Sequence, residues 1–172
     1  MPVPAAATSD DVATWLHDLD IVPTATADRD GVSVWDLVLD GRRRLDIRVT
    51  LILDPATGLI VWVHLAPPLG DGLRKAYRTL LAWNDEYPLA KFSLAEDGRP
   101  ILAVEIPTRW LDADELGLAL ARVVGIADRV FEDTRPWVWV GGHVPAGYAA
   151  RARRSEGLLT RYAPRLPELF EA

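Results

Sequence analysis

Leu80-Leu81-Ala82-Trp83-Asn84-Asp85-Glu86-Tyr87-Pro88-Leu89-Ala90-Lys91-Phe92-Ser93-Leu94 is the stretch that decides the fold of this chain. Its first half belongs to a helix and its second half to a short strand. Tyr87-Pro88 is the corner between them, because a residue that precedes proline is pushed out of the helical region. Glu96-Asp97-Gly98-Arg99 follows at once and reads as a hairpin turn. A helix that runs directly into a hairpin describes architecture, and no catalytic signature lies in or near it.

Working outward, Leu73 to about Glu86 forms the helix, with Leu73, Ala76, Tyr77, Leu80 and Asn84 along one side. Ala90–Ala95 and Ile101–Pro107 form the hairpin. Asp112 caps a further helix, with Glu115 at the capping-box position and Leu116, Leu120, Val123, Val124, Ala127 and Phe131 as its apolar side. Upstream, Thr8–Leu19 is a helix whose Asp10 and Asp11 suit its positive N-terminal end. Three strands follow it: Val32–Leu39, Leu45–Leu53 and Leu59–Ala66. In the second, Leu45, Ile47, Val49, Leu51 and Leu53 alternate with Asp46, Arg48 and Thr50, the pattern of a half-buried strand. In the third, Leu59, Val61, Val63 and Leu65 join the core. Ile60, Trp62 and His64 face outward, and they are less polar than an exposed face should be. The order α-β-β-β-α-β-β-α predicts an α+β domain, an antiparallel sheet with helices packed on it.

After Arg135 the character changes. Trp137-Val138-Trp139-Val140 reads as a short strand, Gly141-Gly142 breaks it, and Pro145 to about Tyr162 reads as a helix. The division is therefore a domain over residues 1–135 and a C-terminal extension over 136–172. The charge follows the same line: residues 1–135 hold 14 Lys/Arg against 22 Asp/Glu, and residues 136–172 hold 5 against 3. Arg151, Arg153, Arg154, Arg161 and Arg165 lie in the extension. On a helix, Arg151 and Arg154 share a face. Docking on the acidic body of the same or a neighbouring subunit is the favoured use, and contact with an acidic partner the other.

The 172 residues, 49% of them hydrophobic, suffice for a buried core. No apolar run approaches a membrane span, and the N-terminus does not resemble a signal peptide, so a cytoplasmic protein with no membrane role is expected. The net charge of −6 disfavours general nucleic-acid binding. Without cysteine there is no disulfide, thiolate metal site or cysteine nucleophile. His17, His64 and His143 form no ligand pair, and the acids Asp112, Asp114 and Glu115 are explained by helix capping. Gly70-Asp71-Gly72-Leu73 lacks the remainder of a phosphate loop. No catalytic residue, metal or cofactor is expected. Arg42-Arg43-Arg44 reads as a solvated hairpin tip in preference to an anion contact.

Leu80-Leu81-Ala82-Trp83-Asn84, Ala90-Lys91-Phe92-Ser93-Leu94, Asp97-Gly98, Val104-Glu105-Ile106-Pro107 and Leu111-Asp112-Ala113-Asp114-Glu115-Leu116, in this order, resemble the YbjN domain family. The resemblance covers roughly residues 8 to 133. Such domains are similar in fold to class I type III secretion chaperones. It implies a non-catalytic homodimer that binds client or regulatory proteins, and it brings no catalytic residues with it. Leu73, Tyr77, Leu80 and Trp83 are the expected dimer interface. Ile60, Trp62, His64, Trp137, Trp139, Arg151 and Arg154 are the expected partner-binding residues, with the alternative that the extension, through Trp137 and Trp139, covers Trp62. The rival function is a nucleic-acid-associated accessory protein, for example in a stress or DNA-repair response, touching phosphates with the arginine-rich tail.

Overall fold

The structure, a computed structural model, describes residues 6–70 and 73–171. Helix α1 (Ser9–Asp18) opens the fold. Its cap is Thr8, whose hydroxyl accepts from the Asp11 amide, while the Asp11 carboxylate takes the Thr8 N–H at 2.8 Å. Such a box is worth about 1 kcal/mol. The strands are β1 (Ala25–Arg29), β2 (Val32–Leu39), β3 (Ile47–Asp54), β4 (Gly58–His64), β5 (Lys91–Leu94) and β6 (Pro100–Pro107). They form one antiparallel sheet in the order β1-β2-β3-β4-β6-β5. Helix α2 (Leu73–Glu86) lies between β4 and β5 in the chain, and α3 (Ala113–Arg129) follows β6. The α+β layout expected from the sequence is present.

The sheet gains one strand over that expectation. All five residues of β1 are exposed, so it lacks the alternation that marks a half-buried strand. Its signal is the turn: Asp30 and Gly31 both have positive φ, 53° and 81°, as a two-residue hairpin of the primed type requires. β3 begins later than its alternation suggests, because Asp46 sits at φ 56° and turns Leu45 out of the ladder.

One face of the sheet meets the helices. Leu37, Leu51, Val61 and Leu102 from the strands close against Val12 and Leu16 of α1 and Leu120 and Val124 of α3, all essentially without exposure. The stretch at residues 80–94 sits at the β5 edge. Trp83 packs on Phe92 at 5.2 Å between ring centroids. The Asn84 carboxamide takes the Phe92 N–H at 2.7 Å and gives its own N–H to the Phe92 carbonyl at 3.1 Å. Asn84 thereby acts in place of a neighbouring strand and closes the outer edge of β5 there. Tyr87 is half-buried beside Phe92, and burial with the adjacent Glu86 carboxylate pushes its phenol up to about 12.

Beyond residue 130 the expected elements are replaced. Instead of a strand at Trp137–Val140, a helix α4 (Phe131–Val138) continues on from α3, and Gly141 and Gly142, both at positive φ, end the segment. The β-prone residues are overridden by packing: Trp137 reaches Trp83 at 5.7 Å, and Trp139 meets Phe131 and Tyr148 edge-on. Instead of one helix over Pro145–Tyr162, a single 3-10 turn (Tyr148–Ala150) leads into non-helical chain, and α5 (Glu156–Tyr162) and α6 (Pro167–Phe170) follow. Gly147 and Ser155, at φ 79° and 60°, interrupt the run. Leu158, Leu159, Tyr162, Leu166 and Leu169 join the same core as the sheet. The fit on α3 depends on missing side chains: a Cβ at Gly117 would stand 2.3 Å from the Tyr162 ring, and one at Gly125 2.7 Å from Phe170.

Candidate functional site

Among the described residues, the other face of the sheet carries no helical layer of that core. Cross-strand register puts Val34, Ile52, Ile60 and Glu105 in one row and Asp36, Thr50, Trp62 and Ala103 in the next. A third row is Val38, Arg48, His64 and Ile101. Val34, Ile52, Ile60 and Trp62 are half-buried by one another and remain in reach of solvent. They form a continuous apolar stripe across three strands, ringed by Asp36, Arg48 and Glu105. At its His64 end the face dips into a hollow of about 840 Å³ lined by Asp36, Arg48, Thr50, Pro67 and Arg99.

Two ring nitrogens stand out here. Trp62 Nε1 and His64 Nδ1 are both closed off from solvent and have no hydrogen-bond partner among the described residues, and the rings stack at 5.8 Å. Buried polar atoms are normally satisfied, and leaving one unpaired costs about 1–3 kcal/mol. Burial, helped by the Arg99 charge, pushes the His64 imidazole below its ordinary value, so it is neutral at physiological pH. This corner is polar, imperfectly satisfied and adjacent to an apolar stripe, which suits adhesion to another molecule more than proton chemistry.

The structure separates the other residues named above from this face. Trp137 and Trp139 do not cover Trp62. They are committed to Trp83 and to Phe131 with Tyr148, on the helical side. Of the residues expected at a dimer interface, Leu80 and Trp83 are 3% and 5% exposed and belong to the chain's own core. Tyr77 stays on the surface at 43%, with Leu81 beside it at 68%. Leu73 opens α2, and its side chain falls outside the described residues.

The tail arginines do not share a helical face, yet they converge. Arg151 and Arg154 both reach Asp46, at 2.9 Å. Asp40, whose side chain has no exposure, accepts from the Arg151 guanidinium at 3.1 Å, the Arg154 amide at 2.7 Å and the Asp46 amide at 2.8 Å. The Arg151 hydrogen bond holds the Asp46 carboxyl below its usual range. The Tyr148 hydroxyl donates to the Leu45 carbonyl and accepts from the Leu45 amide. Arg165 grips Asp114 at 2.6 Å. The extension is thus clamped to the body of its own chain, and these cations already have counter-charges.

Arg42-Arg43-Arg44 is a solvated tip only in part: Arg42 and Arg43 are exposed, and Arg44 is buried. The three backbone amides converge on the carboxylate of Asp128, at 2.6, 3.1 and 2.7 Å. Burial still pushes that carboxyl up, against the pull of the three amides. Arg44 itself is buried, donating to Thr134 Oγ1 at 3.0 Å and to the Leu65 carbonyl. Gly41 must be glycine, since a Cβ there would stand 2.2 Å from Asp128 Oδ1. The sequence signal for this pairing is thin, because Asp128 lies 84 to 86 residues away in a helix. Among the described residues no three His, Asp or Glu side chains gather as a metal site would. Among them, too, no helix is long and apolar enough to cross a membrane.

Known proteins share this layout. The chain is similar to a chain of the HopA1–SchA chaperone–effector complex, at 17% identity and a TM-score of 0.50, over 74% of this chain and 90% of that one. It is similar also to a chain of the ExsC–ExsE complex, at 20% identity and a TM-score of 0.55, over 76% and 93%. At such identities the likeness is one of fold, and it agrees with the secretion-chaperone-like arrangement expected above. No curated protein matches. The YbjN family model, described as "Putative bacterial sensory transduction regulator", matches residues 8–135 and stops where the clamped extension begins. From Thr8 to Arg135, the chain belongs to the YbjN family.

Proposed function

We propose that this protein is a non-catalytic binding module, chaperone-like or adaptor-like, that holds a client or regulatory protein on the open face of its sheet. The observation that carries the reading is the stripe Val34–Ile52–Ile60–Trp62, left uncovered beside two unsatisfied ring nitrogens. Apolar area contributes roughly 25 cal/mol per Å² removed from water, and Trp is enriched among residues that dominate interfaces. The rim of Asp36, Arg48 and Glu105 selects among partners. The fold likeness to chains of chaperone–effector and other two-protein complexes supports the same reading. Homodimerisation belongs to the proposal too, now through the exposed Tyr77 and Leu81 of α2.

The test is affinity capture with the tagged chain and its Trp62→Asp variant, after circular dichroism has established that both are folded. Proteins retained by the wild type and absent from the variant support the reading. An unchanged set retained by the folded variant refutes it. Light scattering of the wild type and of Tyr77→Asp/Leu81→Asp examines the dimer separately. The rival nucleic-acid reading has no observation in its favour, since Arg151, Arg154 and Arg165 are paired with acids of the same subunit.

A further inference from the structure

The hollow at the His64 end of the sheet is unevenly charged. Its volume, about 840 Å³, falls within the range of pockets that hold small organic molecules, and one side chain of a partner protein would not fill it. Its walls combine the apolar Val38, Ala66, Pro67 and Val138 with His64 and three arginines, Arg44, Arg48 and Arg99. The arginines arrive from separate places in the chain. Arg44 precedes β3, Arg48 lies on β3 directly opposite His64 of β4, and Arg99 closes the turn between β5 and β6. Residues opposite one another on neighbouring strands have Cβ atoms about 4.5–5.5 Å apart, so Arg48 and His64 border the same spot.

Three acids line the hollow as well, and two of them are engaged. Asp97 holds Arg99 at 2.6 Å, and Asp46 holds Arg151 and Arg154 at 2.9 Å. The third, Asp36, accepts from the Thr50 hydroxyl at 2.7 Å. Among the described residues, neither Arg48 nor Arg44 forms an ion pair. The Arg44 guanidinium donates only to the Thr134 hydroxyl and the Leu65 carbonyl, and Asp128 takes its backbone N–H instead. Arg44 is 7% exposed. A charge so enclosed is ordinarily matched by an opposite one, because neutral acceptors replace water only in part. Burial accordingly pulls the Arg44 guanidinium below its ordinary value. The hollow thus gathers two guanidinium groups without counter-charges and the unpartnered Nδ1 of His64 against one remaining carboxylate.

We propose that this hollow binds a small organic anion: a carboxylate or phosphate group lies between Arg44 and Arg48, beside His64, and the body of the molecule rests on Pro67 and Val138. The planar guanidinium fork matches the oxygens of either group, and the anion supplies the charge that the buried Arg44 lacks. The site does not depend on a client held by the apolar stripe. That reading is tested at Trp62 and this one at Arg48, so either can fail without the other.

The test titrates the full-length, nitrogen-15-labelled protein with benzoate, phenyl phosphate and the neutral benzamide, three probes that share a body and differ in the head group. Magnetic resonance follows the Nε–H signals of Arg44 and Arg48 and the ring signals of His64. Saturable shifts at these three residues with benzoate or phenyl phosphate support the proposal, and the tighter of the two names the head group. Benzamide should bind at least about tenfold more weakly, since it brings no charge to the guanidinium groups. Arg48→Gln should weaken the anion at least about tenfold, while Arg109→Gln, which removes an exposed cation outside the hollow, should leave its affinity unchanged. The absence of a saturable shift with either anion up to ~10 mM would overturn the proposal. So would benzamide binding as tightly as the anions, an unchanged affinity in Arg48→Gln, or equal weakening by Arg48→Gln and Arg109→Gln.

Discussion

The two faces of the sheet are built from the same alternating strands and are used in opposite ways. On one face Leu51, Val61 and Leu102 are sealed under α1 and α3. On the other, Ile52, Ile60 and Trp62 are next in sequence to those residues and have no such cover. Alternation alone decides which side chain meets which environment. Stability is therefore concentrated on the first face, which leaves the second free to carry an affinity. A face that served only solubility would carry no large apolar side chains, as β1 (Ala25–Arg29) carries none.

That contrast can be broken by substitution, starting with the largest effect. Leu51→Ala should lower unfolding stability by about 2–5 kcal/mol, because the site is enclosed and cannot collapse around the cavity. Ile52→Ala, one residue along, should cost less than about 1.5 kcal/mol. Equilibrium denaturation of the two variants measures the difference, and equal losses would mean that the outer face is as sealed as the inner.

A second comparison sets the extension against the body. Gly117→Ala drives a methyl group into the Tyr162 ring, 2.3 Å away. It should destabilise by about 1–3 kcal/mol, in spite of alanine's better helix propensity. A stabilised variant would show that the extension does not sit on α3. Asn84→Ala leaves the Phe92 N–H and C=O without partners. The expected loss is about 1–3 kcal/mol, with greater aggregation from the reopened edge, which light scattering would follow.

The smallest effect concerns pH. Asp46 is held below its usual value of 3.8 by Arg151, so its contribution to folding is complete above that value and is lost as pH falls through the lower folded-state pKa. The stability difference between wild type and Asp46→Asn should be constant at neutral pH and should shrink only below about pH 3.8. A difference that already closes between pH 7 and 5 would assign the clamp to another group.

How much of this was legible in the sequence follows from the range of each interaction. The helix start at Thr8 with Asp10 and Asp11, the Asp97-Gly98 hairpin and the outward set Ile60, Trp62 and His64 are local patterns, and reading along the chain finds them. The edge closure by Asn84 spans eight residues across the Tyr87-Pro88 corner, and the motif was visible while its purpose was not. Arg42–Arg44 around Asp128 and Asp40 beneath Arg151 join residues more than eighty apart. Nothing in composition or periodicity encodes such pairs, so Arg42–Arg44 reads as a solvated tip, and the tail arginines read as docking on an acidic body with no partner residue named. The Trp137–Val140 segment failed in another way: strand propensity was real, and aromatic packing on Trp83 and Phe131 overruled it.

The most direct test of the open face as a binding surface is photo-crosslinking inside cells. A photoreactive phenylalanine analogue would replace Ile60 on the open face and, in a parallel strain, Val22, which is 84% exposed in the loop between α1 and β1. The account predicts discrete covalent adducts with another protein from position 60 that are absent from position 22. The same adducts from both positions, or none from position 60, would contradict it.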